Sequence, residues 1–209
     1  MNPVPDSLLR HPRIFRLAAS AGVANPGLPT GYPELDACLP GGGWPRAALN
    51  EILVDGFGSC ELQLVIPALV SLCAEGTGEA YWLTWISPPH IPYAPALAAA
   101  GLDLARILMV RTRRSQDALW AAEQALRSGT CRAVLVWSEQ ADGRRLRRLQ
   151  LAAEEGNCPG FVFRPDAAKK RPSPAALRLR IAVDGGRPQL DLLKVRGGRP
   201  AQVSPAGLC

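Results

Sequence analysis

Ala48-Leu49-Asn50-Glu51-Ile52-Leu53-Val54-Asp55-Gly56-Phe57-Gly58-Ser59-Cys60-Glu61 is the stretch whose reading decides the fold. Residues 48–54 are mostly apolar and read as a buried strand. Asp55-Gly56-Phe57-Gly58-Ser59 has the chemistry of a loop. From Glu61 to Ala74 the apolar positions 62, 64, 65, 66, 69, 70, 72 and 73 are too dense for a surface helix, and the run is long for a strand. Pro67 predicts a kink or an early break there, because proline lacks an N–H and its ring crowds the preceding turn.

Downstream, element types alternate. Residues 80–86 read as a strand, 93–100 as a helix ended by Gly101, and Ile107–Val110 as a strand. Ser115–Arg127 reads as a helix with Ser115 as N-cap and Gly129 just past its end. Residues 132–137 form a strand, Gly143–Glu155 a helix and 160–164 a strand. The expectation is an α/β fold, a mostly parallel sheet flanked by helices. Residues 177–183 alternate strictly, Asp184-Gly185-Gly186 is a hairpin signal, and 188–195 supply the returning strand. The sheet is therefore expected to end in a C-terminal antiparallel hairpin, reached through a linker at 166–174. Upstream, Thr30-Gly31-Tyr32-Pro33 turns into a short helix at 34–39, and Pro40-Gly41-Gly42-Gly43 ends it. The division expected is an N-terminal arm (1–27, with a short helix at 7–18 or no order), a core (28–165), a basic linker and hairpin (166–200) and a disordered tail (201–209).

The chain has 209 residues, 47% of them hydrophobic, which suits one globular domain and excludes a disordered one. The start carries no apolar leader and no run is long enough to span a bilayer, so a cytoplasmic protein without membrane contact is expected. Cysteines at 38, 60, 73, 131, 158 and 209 show no CxxC spacing, and the histidines are His11 and His90. Neither a metal site nor a disulfide framework is expected from them, and no cofactor. The charge is uneven: residues 1–163 carry a net −1 and residues 164–209 a net +7. That basic end suits an acidic protein surface or DNA phosphates, although no aromatic residue follows Phe163 to stack on bases. Lysine is rare, and the first is Lys169.

Thr30-Gly31, Leu35-Asp36, Gly41-Gly42-Gly43 and Glu51-Ile52 resemble, in order and offset, the entry to a RecA-type ATPase. A phosphate loop should follow, whose amides cradle phosphate, whose lysine neutralises it and whose hydroxyl holds magnesium. Gly56 and Gly58 suit such a loop, but Ser59 or Cys60 stands at the lysine position, and Glu61 adds a negative charge. The strand at 133–137 ends in Trp137-Ser138 where an aspartate should hold magnesium, and Trp82–Ser87 offers no acid to activate water. Trp137 is instead expected to fill the former pocket. The residues describe a degenerate ATPase rather than an enzyme, with no catalytic residue.

Trp82-Leu83-Thr84, Ala99-Ala100-Gly101-Leu102, Arg147-Arg148-Leu149-Gln150 and Gly160-Phe161-Val162-Phe163-Arg164-Pro165 are similar to the ImuA/SulA family of RecA-like pseudoenzymes. Within it, the RecA-type entry and the long end Leu192-Leu193-Lys194-Val195-Arg196-Gly197-Gly198-Arg199-Pro200 resemble the ImuA branch. The resemblance implies a non-catalytic accessory protein of DNA-damage-induced (SOS) translesion synthesis. Its partners would be an ImuB-type polymerase-like protein of the Y family, RecA and, indirectly, an error-prone DNA polymerase. Candidate partner-binding residues are Arg144, Arg145 and Arg148 on one helix, and Lys169, Lys170, Arg171, Lys194, Arg196 and Arg199 in the basic extension. The alternatives are a SulA-like cell-division inhibitor that binds FtsZ and a DNA-binding module acting through the basic tail.

Overall fold

Strand β1 (Leu49–Val54) is buried along its whole length, and the sheet is built outward from it. The computed structural model describes residues 26–58, 60–75, 81–184 and 187–208. The expected helix at 7–18 and the glycines Gly185 and Gly186 lie outside the described residues. The other strands are β2 (Trp82–Ile86), β3 (Ile107–Val110), β4 (Cys131–Trp137), β5 (Gly160–Pro165), β6 (Leu177–Asp184), β7 (Arg187–Val195) and β8 (Ala201–Val203). The described residues place all of them in one sheet of order β3-β2-β4-β5-β1-β6-β7-β8. Pairing is parallel from β3 to β6 and antiparallel at β6–β7 and β7–β8. The C-terminal hairpin is thus continuous with the sheet. Its first strand lies directly on β1, with Ile52 opposite Leu179.

The helices are α1 (Pro33–Asp36), α2 (Glu61–Ala74), α3 (Ala94–Ala99), α4 (Ser115–Arg127) and α5 (Gly143–Glu155). One face of the sheet packs Ile52, Trp85, Leu135 and Phe163 against Leu64, Val65, Ala68 and Leu69 of α2. The other packs Leu49, Val134, Val136 and Val162 against α4 and α5 through Leu119, Leu126, Leu146 and Leu149. A parallel sheet covered on both faces reads as continuous apolar runs rather than alternation. The stripe Leu146, Leu149, Ala153 does face the sheet as its spacing predicts.

The structure corrects four expectations. Helix α2 runs unbroken through Pro67. The proline removes the N–H that would serve the Gln63 carbonyl four residues back, and the Tyr32 hydroxyl donates to that carbonyl instead, at 3.1 Å. Gly31, with φ +85°, leaves room for this contact: a Cβ there would stand 2.4 Å from Pro67 Cβ. Ser115 is the first residue of α4 rather than its cap, a place taken by Arg114. The linker folds into a 3-10 turn at Asp166–Lys170. Finally, 201–208 is not a disordered tail. Ala201–Val203 pairs with β7, and Val203 and Leu208 are buried.

Candidate functional site

The loop after β1 lies between the strand's carboxyl end and the start of α2, a position that favours anions through free amides and the helix dipole. Here that position is filled from within. The Gly58 N–H donates to Glu61 Oε1 at 2.5 Å, and Glu61 is only 1% exposed. Gly58 has φ +91°, and a Cβ on it would meet His90 Cδ2 at 2.7 Å, so the loop leading to α3 closes over it. A carboxylate in the first turn of α2 is favourable for the helix, but it would repel an incoming phosphate. Gly56 has open space on its Cα. Ser59 lies outside the described residues. Cys60 precedes α2 as its N-cap residue without a side-chain cap. It is disulfide-bonded, against the expectation of reduced thiols, whereas Cys38, Cys73, Cys131 and Cys158 are free. Burial drives the Cys158 thiol far above its usual range.

At the neighbouring strand ends, Trp137 is buried and stacks on Phe163 with ring centroids 4.6 Å apart. Trp85 lies tilted against it at 6.3 Å. The three rings pack toward α2 in one core cluster. Ser138 Oγ stands 3.4 Å from Ser115 Oγ, which ties the end of β4 to the start of α4. Ser87, at the end of β2, reaches Thr112 Oγ1 at 2.9 Å. Among the described residues no group of three or more His, Cys, Asp or Glu is placed to hold a metal ion.

The basic candidates do not form one cluster. Arg144, Arg145 and Arg148 lie on α5, where Arg148 Nη2 pairs with Glu123 at 2.7 Å. Glu154 and Glu155 serve Arg196 and Arg127 rather than the α5 arginines. In the extension, Lys169 pairs with Asp166 at 2.6 Å. Lys194 Nζ donates to the Ser173 carbonyl, and burial together with the Arg196 charge lowers its pKa. Lys170, Arg171 and Arg199 are exposed.

Sequence reasoning missed a buried ionic triad. Glu51 in β1 meets Arg164 of β5 (Nη1 to Oε1, 2.5 Å) and Arg178 of β6 (Nε to Oε2, 3.1 Å). Arg164 also donates to the Ala141 carbonyl, and Arg178 to those of Ala168 and Arg171. Arg180, one step along the same face, pairs with Asp166 and Asp191. The signal available was a charge inside each apolar run, Glu51 in Leu-Asn-Glu-Ile-Leu-Val and Arg164 in Phe-Val-Phe-Arg-Pro.

These features define an α/β protein whose central strand feeds a glycine loop occupied by its own carboxylate. The family model for "Cell division inhibitor SulA" matches residues 57–160. A cell division inhibitor SulA from Pectobacterium atrosepticum is 31% identical, covering 59% of this chain and 74% of that protein. SulA of Photorhabdus laumondii is 36% identical, covering 53% of this chain, which spans 62% of that relative's length. Protein ImuA of Caulobacter vibrioides is 29% identical, covering 88% of this chain and 84% of that protein. The crystal structure of SulA from Pseudomonas aeruginosa is 30% identical with a TM-score of 0.46, covering 58% of this chain and 99% of that one. The chain belongs to the ImuA/SulA family.

Proposed function

We propose that this protein is a non-catalytic accessory factor of the DNA-damage response, acting in translesion synthesis in the cytoplasm. It would bridge an ImuB-type polymerase-like partner of the Y family and RecA, and through them an error-prone polymerase. The observation that carries this reading is the extent of the likeness to ImuA. It spans 88% of the chain, whereas the SulA model stops at residue 160, before β6, β7 and β8. The pseudo-ATPase character rests on the loop, where no lysine precedes Lys169 and Glu61 takes the Gly58 amide. In this reading the core is a degenerate RecA-like domain, and the basic residues Lys170, Arg171 and Arg199 serve docking.

A second reading is favoured by the family model itself: an inhibitor of cell division of the SulA type, acting on FtsZ. One experiment separates the two. The full chain is co-expressed with the polymerase-like partner and, separately, with FtsZ, and each is captured by affinity pull-down. Capture of the polymerase-like partner and of RecA supports the accessory role. Capture of FtsZ alone, with filamentous cells on overexpression, replaces it with the inhibitor role. Magnesium-dependent ATP hydrolysis above background in the pure protein would overturn both.

A further inference from the structure

Helices α4 and α5 follow β3 and β4, which run parallel in the sheet, so both begin at its carboxyl edge. Arg113 and Arg114 lead into α4, and Arg144 and Arg145 lie in the first turn of α5. Among the described residues no carboxylate stands within ion-pairing distance of these four side chains. Cations at a helix N-terminus sit on the unfavourable end of the dipole, where carboxylates are the stabilising choice. Each end also carries one carboxylate, Asp117 in the first turn of α4 and the N-cap Asp142 of α5, so the four guanidinium groups leave a net positive charge on this edge. Of the four, Arg145 lies beside Trp120 of α4, which is 61% exposed, against 38% for Trp82 and at most 5% for Trp44, Trp85 and Trp137. Trp120 and Arg145 line one depression, together with Gln116, Leu119, Glu123 and Arg148.

We infer that this α4–α5 face binds single-stranded nucleic acid, with phosphates held by Arg113, Arg114, Arg144 and Arg145 and a base stacked on Trp120. An acidic peptide would answer the arginines but leave the indole in water. A strand that alternates phosphates with flat bases answers both. A duplex keeps its bases stacked on one another and offers none to the ring. The face is separate from the basic extension, which lacks an aromatic residue, and the inference stands whether or not the bridging role does.

The test titrates the full-length protein with a short oligothymidylate and the matching oligouridylate, following tryptophan emission and anisotropy. Quenching of emission is expected, with log affinity falling against log salt at a slope of about −3, since each neutralised phosphate of a single strand contributes about −0.7. The W120A variant should bind about tenfold more weakly, the size of one lost base stack. W120F should keep most of the affinity while losing the quench, and R113E/R145E should flatten the salt slope. The variant K169E/K170E/R171E should bind as the parent does. DNA and RNA compared side by side identify which strand is preferred. Circular dichroism confirms that each variant is folded. The inference is overturned by any of four results: no binding, undiminished binding by folded W120A, equal binding of a duplex, or loss of binding in the extension variant alone.

Discussion

Removing the Glu51 carboxylate would strand two guanidinium groups in the sheet. Arg164 and Arg178 are both buried, and their remaining partners are backbone carbonyls, which accept hydrogen bonds but carry no countercharge. Breaking such a pair from one side leaves an uncompensated charge, at a cost of about 3–5 kcal/mol. E51A should therefore lower unfolding free energy by that amount in urea denaturation. The triple replacement E51L/R164M/R178M, which removes every charge of the triad, should lose far less. Equal losses in both variants would mean that the site is held by packing and not by charge balance. In the loop after β1 the same logic runs in reverse, since there a buried carboxylate satisfies an amide at the start of a helix.

At the scale of elements, α2 shows how a distant residue rescues a local fault. An interior proline costs a helix about 3 kcal/mol, part of it the unserved carbonyl. Tyr32 supplies the missing donor from the segment before β1. Y32F should destabilise the protein by about 1 kcal/mol, the worth of one hydrogen bond. In a P67A background, where residue 67 regains its N–H, the same change should cost close to nothing, and a double-mutant cycle on thermal unfolding would read the difference. Additivity of the two changes would show that the tyrosine acts elsewhere. This pairing also marks what the sequence could reveal. Helices α4 and α5 were legible because their apolar spacing matches one period, and the inner strands because they are short apolar runs bounded by turn residues. The nature of α2 was not, because a run apolar on every side has no period, and its proline pointed to a break. Strand β8 was missed because three residues carry no periodic signal. That no lysine precedes Lys169 could be read directly from the chain. The triad could not, because its members lie 113 and 127 residues apart in the chain.

Taken as a whole, the molecule is closed by the segment that follows Pro165. Strand β1 has β5 on one side and β6 on the other, so the chain beyond Pro165 supplies half of the central strand's hydrogen bonds. Ending the chain at Pro165 would bare that edge along with Ile52 and Val54, an open template for aggregation. Such a truncation should be insoluble or rapidly proteolysed, whereas neutralising the exposed Lys170, Arg171 and Arg199 should leave solubility and protease resistance intact. A soluble, protease-resistant fragment ending at Pro165 would show that the hairpin is an appendage. The same topology has a consequence for synthesis. A ribosome releases β1 early, but both of its neighbours, β5 and β6, emerge more than a hundred residues later, so the nascent chain carries an apolar strand with neither side paired through most of translation. The protein's yield in a stressed cell would then depend on chaperones that shield that strand until β6 arrives.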